Sequence, residues 1–502
     1  MSRTDRLEPG QAERLFRERE KDWRKALRRE LSIQKRLSIE RQPMPEQEPR
    51  VRVHNFKEVN LGYALELARA EARRCLDCGQ PGCVAGCPVA IDIPTFIKYI
   101  EAGELEKALE KIRETNGLPA ICGRVCPQEV QCEKDCNLVR AGKAPVAIGH
   151  LERFVADYLC LREEAGAGIS SSLELARRPE KIAVVGSGPG GLTAAADLAR
   201  LGYRVTVFEA LHLPGGVLAY GIPEFRLPRE ILQSEINFIR ALGVEIKTNF
   251  IVGRTASLED LRQDGYRAFF LGTGAGLPSF MNIPGENLLG VYSANEYLTR
   301  VNLMKGFRFP EFDTPVPRAR RAAVIGGGNV AMDAVRTALR LGAEQATIYY
   351  RRSRAEMPAR VEEVKHAEEE GIIFNFLTVP VRFLGNDRGQ LRGMVLQKLA
   401  LGEPDSSGRP RPVPIPGSEF EVEVDLAVVA IGQSPNPLLI KQLPGLKLGR
   451  WGNVEVDFQT MATSLPGIYA GGDAVRGGAT VILAMGDGRR AARAIDEFLR
   501  RE

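Results

Sequence analysis

The sequence predicts an α/β protein in which two Rossmann-like dinucleotide-binding domains follow an α-helical, cysteine-bearing domain. Three observations carry that prediction. From Lys181 onward, apolar β-branched strands alternate with alanine-rich helices, the mark of parallel α/β units. That pattern opens twice on a glycine loop, at KIAVVGSGPGGLTAAADLA and again at RAAVIGGGNVAMDAVRTA. Eight of the nine cysteines lie between Cys75 and Cys136, ahead of both loops.

A chain of 502 residues, 44% apolar and 26% charged, can bury a sizeable core and divide into about three domains. Its net charge of +5 is mild for this length and does not point to nucleic acid. No apolar run reaches the eighteen or so residues of a membrane span. The amino terminus, MSRTDRLEPGQAERLFRERE, is charged where an export signal is apolar, so the expected location is cytoplasmic.

Taken in order, residues 1–50 form a basic extension with Leu15, Phe16, Trp23, Leu27, Leu31 and Leu37 at loosely helical spacing. A solvated arm, a docking helix for a partner and a membrane-surface helix all fit that pattern. The cysteine-bearing domain spans 51–165, with a helical stretch expected over 92–115 between its two groups of four cysteines. The Gly/Ser-rich segment at 166–180 reads as a linker. The first dinucleotide-binding domain is expected over 181–315 and 428–502 and the second over 316–427, with the Pro-containing FRFPEFDTPVPRAR between them.

In the first glycine loop, Gly186 permits a tight turn, Gly188 lets backbone N–H groups approach a pyrophosphate and Gly191 lets the helix pack close to the strand. The next strand ends in Glu209, a carboxylate suited to both ribose hydroxyls of an adenosine without a 2′-phosphate. The second loop has Gly326, Gly328, Asn329 and then Ala331 in the third slot, and its second strand ends in Arg351 and Arg352. Guanidinium groups pair with a 2′-phosphate that a carboxylate would repel, so this loop is read for NADPH and the first for FAD. Near the carboxyl end, LPGIYAGGDAVRGGATVILAMGDGRRAARAI reads as a strand, an acidic turn and a helix. There Gly472 and Asp473 are expected at the flavin, with the helix that begins near Thr480 presenting its positive end to the reduced ring. Gly216, within the GGV at 215–217, and the following YGIPEFR are expected to line the flavin; for Tyr220 and Arg226, catalytic and packing roles both stay open.

The cysteines read C-x2-C-x4-C-x3-C-P from Cys75 to Pro88, then Cys122-x3-Cys126-Pro and Cys132-x3-Cys136. A disulfide framework of this density belongs to small secreted domains. Crowded thiolates with Cys-Pro closes are characteristic of ferredoxins with two clusters, whereas zinc favours two separated pairs. The simplest count offers eight thiolates to two [4Fe–4S] clusters; the alternative is a zinc-stapled protein that binds NADP(H).

These motifs together resemble the flavoproteins with two dinucleotide-binding domains, of glutathione-reductase-like fold: GSGPGG with Glu209, VVAIGQSPN at 428–436 and GIYAGGDA at 467–474. With the cysteine domain and LPGGVLAYGIPEFRLP at 213–228, the chain from about residue 52 onward is similar to the small (β) subunit family of NADPH-dependent glutamate synthase, including its homotetrameric type. It is similar too to the large subunit of NADH-dependent reduced ferredoxin:NADP oxidoreductase and to the amino-terminal half of dihydropyrimidine dehydrogenase. The resemblance implies FAD, NADPH and two [4Fe–4S] clusters. It assigns Cys75, Cys78, Cys83 and Cys136 to one cluster, and Cys87, Cys126 and Cys132 to the other, completed by Glu152 of AIGHLERF with Cys122 left spare. It implies hydride transfer from NADPH to FAD with no side chain as a catalytic acid or base. Electrons would then pass to a partner subunit, whether a glutamate synthase large subunit or a small flavin/[2Fe–2S] chain, to ferredoxin, or within a homo-oligomer. The alternative activity is that of the bifurcating oxidoreductase or of a sulfide dehydrogenase. No cysteine precedes Cys75 and no residues remain for an FMN barrel, so the chain does not make glutamate by itself.

Overall fold

The computed structural model describes residues 10–164, 178–405 and 408–501; the expected linker at 166–180 lies, as far as 177, outside them. The basic extension forms three short helices, Gln11–Arg19, Asp22–Glu30 and Ile33–Ser38. It is packed onto the cysteine domain, and the picture of a solvated arm gives way. Trp23 stacks on Tyr99 with ring centroids 4.6 Å apart. Arg24, Arg36 and Arg52 are buried, and each meets a carboxylate: Arg24 pairs with Asp77, Arg36 with Glu101 at 2.8 Å and Arg52 with Glu370 at 2.9 Å. Buried charges persist only where they are paired and hydrogen-bonded, so these pairs fix where the arm can lie.

The cysteine domain is helical, its longest described helix being Ile148–Glu164. The helical stretch expected over 92–115 divides into Ile93–Ala102 and Leu105–Arg113. The Asp92 side chain accepts from the Thr95 N–H to start the first, and Gly103, at φ 84°, takes the left-handed conformation that ends it.

Two five-stranded parallel sheets follow. The first has the order Ile468–Ala470, Tyr266–Leu271, Lys181–Val185, Arg204–Phe208, Glu245–Lys247. The second has the order Val291–Ser293, Leu426–Val429, Arg321–Ile325, Gln345–Tyr350, Ile373–Phe376, so that its edge strand beside Leu426–Val429 comes first in the chain and not last. Val291–Ser293 belongs to the sheet of the second loop although it precedes the boundary expected at 315/316, and Val428 and Val429 belong to it although they follow the one expected at 427/428. A strand of three residues is too short to show a period. The chain crosses between the two units where Leu277–Pro278 pairs antiparallel with Gln433–Ser434. An antiparallel sheet built on Thr378–Gly385 and Leu391–Pro404 extends the second unit. One hydrophobic core runs from the cysteine domain, through Phe96, Ile121 and Val155, into the first sheet at Val184 and Phe270. Among the described residues no helix is long and apolar enough to cross a membrane.

Candidate functional site

One groove runs between the two glycine loops and is lined by both. On its first side, the strand Lys181–Val185 leads into Gly186, and the helix Pro189–Arg200 begins at Gly188 with no side-chain cap. Its first N–H groups therefore face outward as an anion site. A Cβ on Gly191 would sit 2.0 Å from the Gly186 carbonyl oxygen, so the close strand–helix approach requires glycine there. Glu209, buried at the end of Arg204–Phe208, accepts from the Ser187 N–H at 2.9 Å and from the Leu211 N–H at 2.8 Å. It braces the loop: Oε2 also accepts from the Ser187 hydroxyl, and Oε1, with one bond made, retains lone-pair capacity for a ribose hydroxyl. Gly216, Gly472, Asp473 and Thr480 line the same side. Asp473 accepts from the Ala479 N–H at 3.1 Å, and burial raises its pKa above the ordinary range. Thr480 caps the helix Val481–Leu499.

Asp487 carries no motif, yet it anchors this side. Fully buried on that last helix, it accepts from the Gly472 N–H at 3.0 Å and from Arg476 Nε at 2.8 Å, holding the acidic turn against the helix. Tyr220 lines the groove, where burial, then the Asp473 and Glu209 carboxylates, push its phenol to about 12. Arg226 is bound at 2.7 Å to Asp333 and at 2.9 Å to Glu363, both in the second unit. Its side chain is thereby committed to joining the two units.

On the second side, the helix Asn329–Arg340 begins at Gly328, again without a side-chain cap. Gly326, Gly328 and Asn329 line the groove, Ala331 is buried behind them, and the Asn329 side chain accepts from the Arg360 N–H at 2.9 Å. The two arginines differ. Arg351 is exposed, whereas Arg352 is 2% exposed, donates from Nε to the Pro410 carbonyl at 2.9 Å and pairs with Asp405. Both line the groove.

The thiols form two groups. Cys75, Cys78, Cys83 and Cys136 line one cavity together with Pro81, Ile97 and Leu138. Cys87, Cys126 and Cys132 lie within electrostatic reach of one another and of Glu152. Burial pushes the Cys75 and Cys87 thiols up to about 12 and the Glu152 carboxyl up to about 8. Crowded, buried acids of this kind are stable as anions only around cationic metal, which reverses the shift. The spacing bears on which metal. Tetrahedral zinc with bonds of about 2.3 Å draws sulfurs to about 3.8 Å from one another. Among the described residues, the trio of potential ligands whose atoms all lie within 4.8 Å is Glu46, His366 and Glu369, with no cysteine in it. That trio already closes on Arg52, at 3.2 Å from Glu46 and 2.8 Å from Glu369. The thiol groups, of four ligands each with Glu152 counted, suit two polynuclear clusters.

Two family models match the chain: dihydropyrimidine dehydrogenase domain II, 4Fe-4S cluster, over residues 52–164, and pyridine nucleotide-disulphide oxidoreductase over 180–488. The glutamate synthase [NADPH] small chain of Azospirillum brasilense is 36% identical over 467 residues, 91% of this chain and 94% of that one. The NADP(+)-dependent formate dehydrogenase subunit beta of Moorella thermoacetica is 42% identical over 438 residues, 83% of this chain, which spans 60% of that subunit. Among solved structures, Mycobacterium tuberculosis FprA in complex with NADPH shares the fold, with a TM-score of 0.55 at 21% identity over 64% of this chain and 85% of that one.

Proposed function

The chain belongs to the pyridine nucleotide-disulphide oxidoreductases, in the branch of the glutamate synthase [NADPH] small chains, and from that premise we propose that it oxidises NADPH at FAD and passes electrons through two [4Fe–4S] clusters to a partner subunit. The observation that carries this reading is the single groove joining both glycine loops, together with the contact between its flavin side and the thiols: Cys122 Sγ lies 3.4 Å from Met485 Sδ on the helix that starts at the groove. When bound, FAD supplies a hydride acceptor, and the clusters carry single electrons.

In this reading Gly186, Gly188, Gly191, Glu209, Gly216, Gly472, Asp473 and Thr480 hold FAD. Gly326, Gly328, Asn329, Ala331, Arg351 and Arg352 hold NADPH, with the exposed Arg351 as the cation for the 2′-phosphate and Arg352 as its buried support. Cys75, Cys78, Cys83 and Cys136 bind one cluster; Cys87, Cys126, Cys132 and Glu152 bind the other. No side chain acts as a catalytic acid or base. The protein holds the nicotinamide and the flavin in one groove, which is the contribution hydride transfer needs. Both relatives are named as components of larger enzymes, which supports a partner subunit. The 42% identity to a formate dehydrogenase subunit favours a second reading in which the partner is a dehydrogenase and the flow runs toward NADP+.

Anaerobic purification, with assay of iron, acid-labile sulfide and flavin, tests the cofactor set; folded, flavin-loaded protein without iron and sulfide overturns it. Arg351→Glu removes a charge-assisted contact of about 1.5–3 kcal/mol, so kcat/KM for NADPH should fall roughly 10- to 100-fold while NADH oxidation is kept. An unchanged preference for NADPH removes Arg351 from the site.

A further inference from the structure

Asn116 stands between the two groups that compete to complete the second cluster. It is fully buried, and its Nδ2 donates to Glu152 Oε1 at 2.6 Å. Its Oδ1 accepts from the Leu118 N–H at 2.9 Å and from Cys122 Sγ at 3.7 Å. The Leu118 bond fixes which way the amide points, because a backbone N–H at a buried turn needs an acceptor and the amide nitrogen cannot serve. With that orientation set, the side of Asn116 that meets Glu152 is a donor and the side that meets Cys122 is an acceptor.

Resting on the reading of Glu152 as a cluster ligand, we infer that Asn116 is a positioning residue that selects this carboxylate over the Cys122 sulfur as the fourth ligand. The donor occupies Oε1, and Oε2 would be the oxygen left to hold the cluster. The acceptor engages the Cys122 S–H, which Met485 Sδ also contacts at 3.4 Å, and so competes for a sulfur that the Cys126 thiol also has within hydrogen-bond reach. Hydrogen bonds behind a ligand orient it and tune the metal, so the amide sets both the identity and the potential of the site. Without the Nδ2 donor the choice would reverse: Cys122, its thiol proton passed to the freed Glu152 carboxylate, would hold the cluster in place of Glu152.

Asn116→Asp tests this with little change of shape. It keeps the acceptor for Leu118 but sets an oxygen against Glu152. In anaerobically purified full-length protein, the Asp variant should change the electron paramagnetic resonance spectrum and midpoint potential of the second cluster while leaving the first unchanged. Cys122→Ala, silent in the native background, should strip about one of about eight irons when combined with it, leaving a three-iron species. Asn116→Ser, which retains an acceptor for the turn, should behave alike and covers the case of an Asp variant that misfolds; flavin content reports folding. If both variants keep the native spectrum and potential and Cys122→Ala stays silent in them, the inference fails. Glu152→Ala separates the two levels: if it too leaves the cluster unchanged, the ligand assignment itself has failed, and if it alone changes the cluster, only the role of Asn116 has.

Discussion

The two thiol pockets are gripped by different parts of the chain. Around the pocket of Cys75 and Cys78, the grip comes from the amino-terminal arm: Asp77, between the two cysteines, pairs with Arg24 and Arg28, and its carbonyl accepts from Arg19 at 2.8 Å. Lys98 donates to the Cys75 carbonyl at 2.7 Å. Around the pocket of Cys126 and Cys132, Arg41 of the arm pairs with Glu133 at 2.9 Å, but most of the grip comes from the nucleotide-binding units. Arg360 of the second unit donates to the Arg124 carbonyl at 2.7 Å and to Gln128 at 3.2 Å, and Met485 of the first touches Cys122. The charges differ as well. Lys98 acts on Cys75 together with the Asp77 carboxylate, whereas Glu152 and Glu133, the latter paired with Arg41, border Cys132. A cation beside a cluster would favour its reduced, more negative form, so the charges around each pocket should set its own potential.

Removing one ligand from each pocket tests the separation with the largest effect. Cys83→Ser and Cys132→Ser should each cost about half of the bound iron, about four atoms, and leave the other cluster's spectrum intact. If either substitution strips both pockets, they assemble as one unit and the distinction collapses.

Arg24→Ala sharpens the contrast at the next scale. It leaves the buried Asp77 carboxylate to Arg28 alone, and breaking a buried pair from one side costs about 3–5 kcal/mol, read as a lowered Tm. The same change should lower the potential of the first cluster and leave the second where it was. A fall in both potentials would mean that the arm acts on the whole domain and not on one pocket.

Much of the site is legible in the sequence because its geometry is local. Gly186 to Gly191 forms one turn, Glu209 follows on the adjacent strand, and the cysteines come in tight runs. What is not legible depends on partners far along the chain. Arg24, Arg36 and Arg52 look like solvated charges until Asp77, Glu101 and Glu370 are brought to them, 53, 65 and 318 residues away. Arg352 looks equivalent to Arg351 until Asp405, 53 residues on, claims it. Asn116 and Asp487 belong to no motif; the only local hint is a polar residue where the surrounding pattern is apolar, and that signal is too common to use alone. The strand Val291–Ser293 is missed for the opposite reason, being too short for any period to show.

The smallest of the three effects concerns the end of the arm, where it leaves the first pocket and reaches the second nucleotide-binding unit. Glu46 lies 3.1 Å from His366 Nε2 and accepts from Arg52 at 3.2 Å. The proximity of His366, more than any other influence, lowers its pKa from 4.5 to about 2. A carboxyl depressed on folding stabilises the fold in full above its unfolded value and loses that contribution as pH falls through the folded one, so the window lies between about 4.5 and about 2. Glu46→Gln should cost about 1 kcal/mol at neutral pH, the scale of the exchanged hydrogen bonds, and should flatten the acid side of the Tm–pH curve within that window. Acid loss of the clusters lowers both curves alike, so the difference between them isolates Glu46. Parallel curves would show that the first pocket's grip ends with Arg24 and Arg28 and does not extend, through Glu46 and Arg52, to the unit that grips the second.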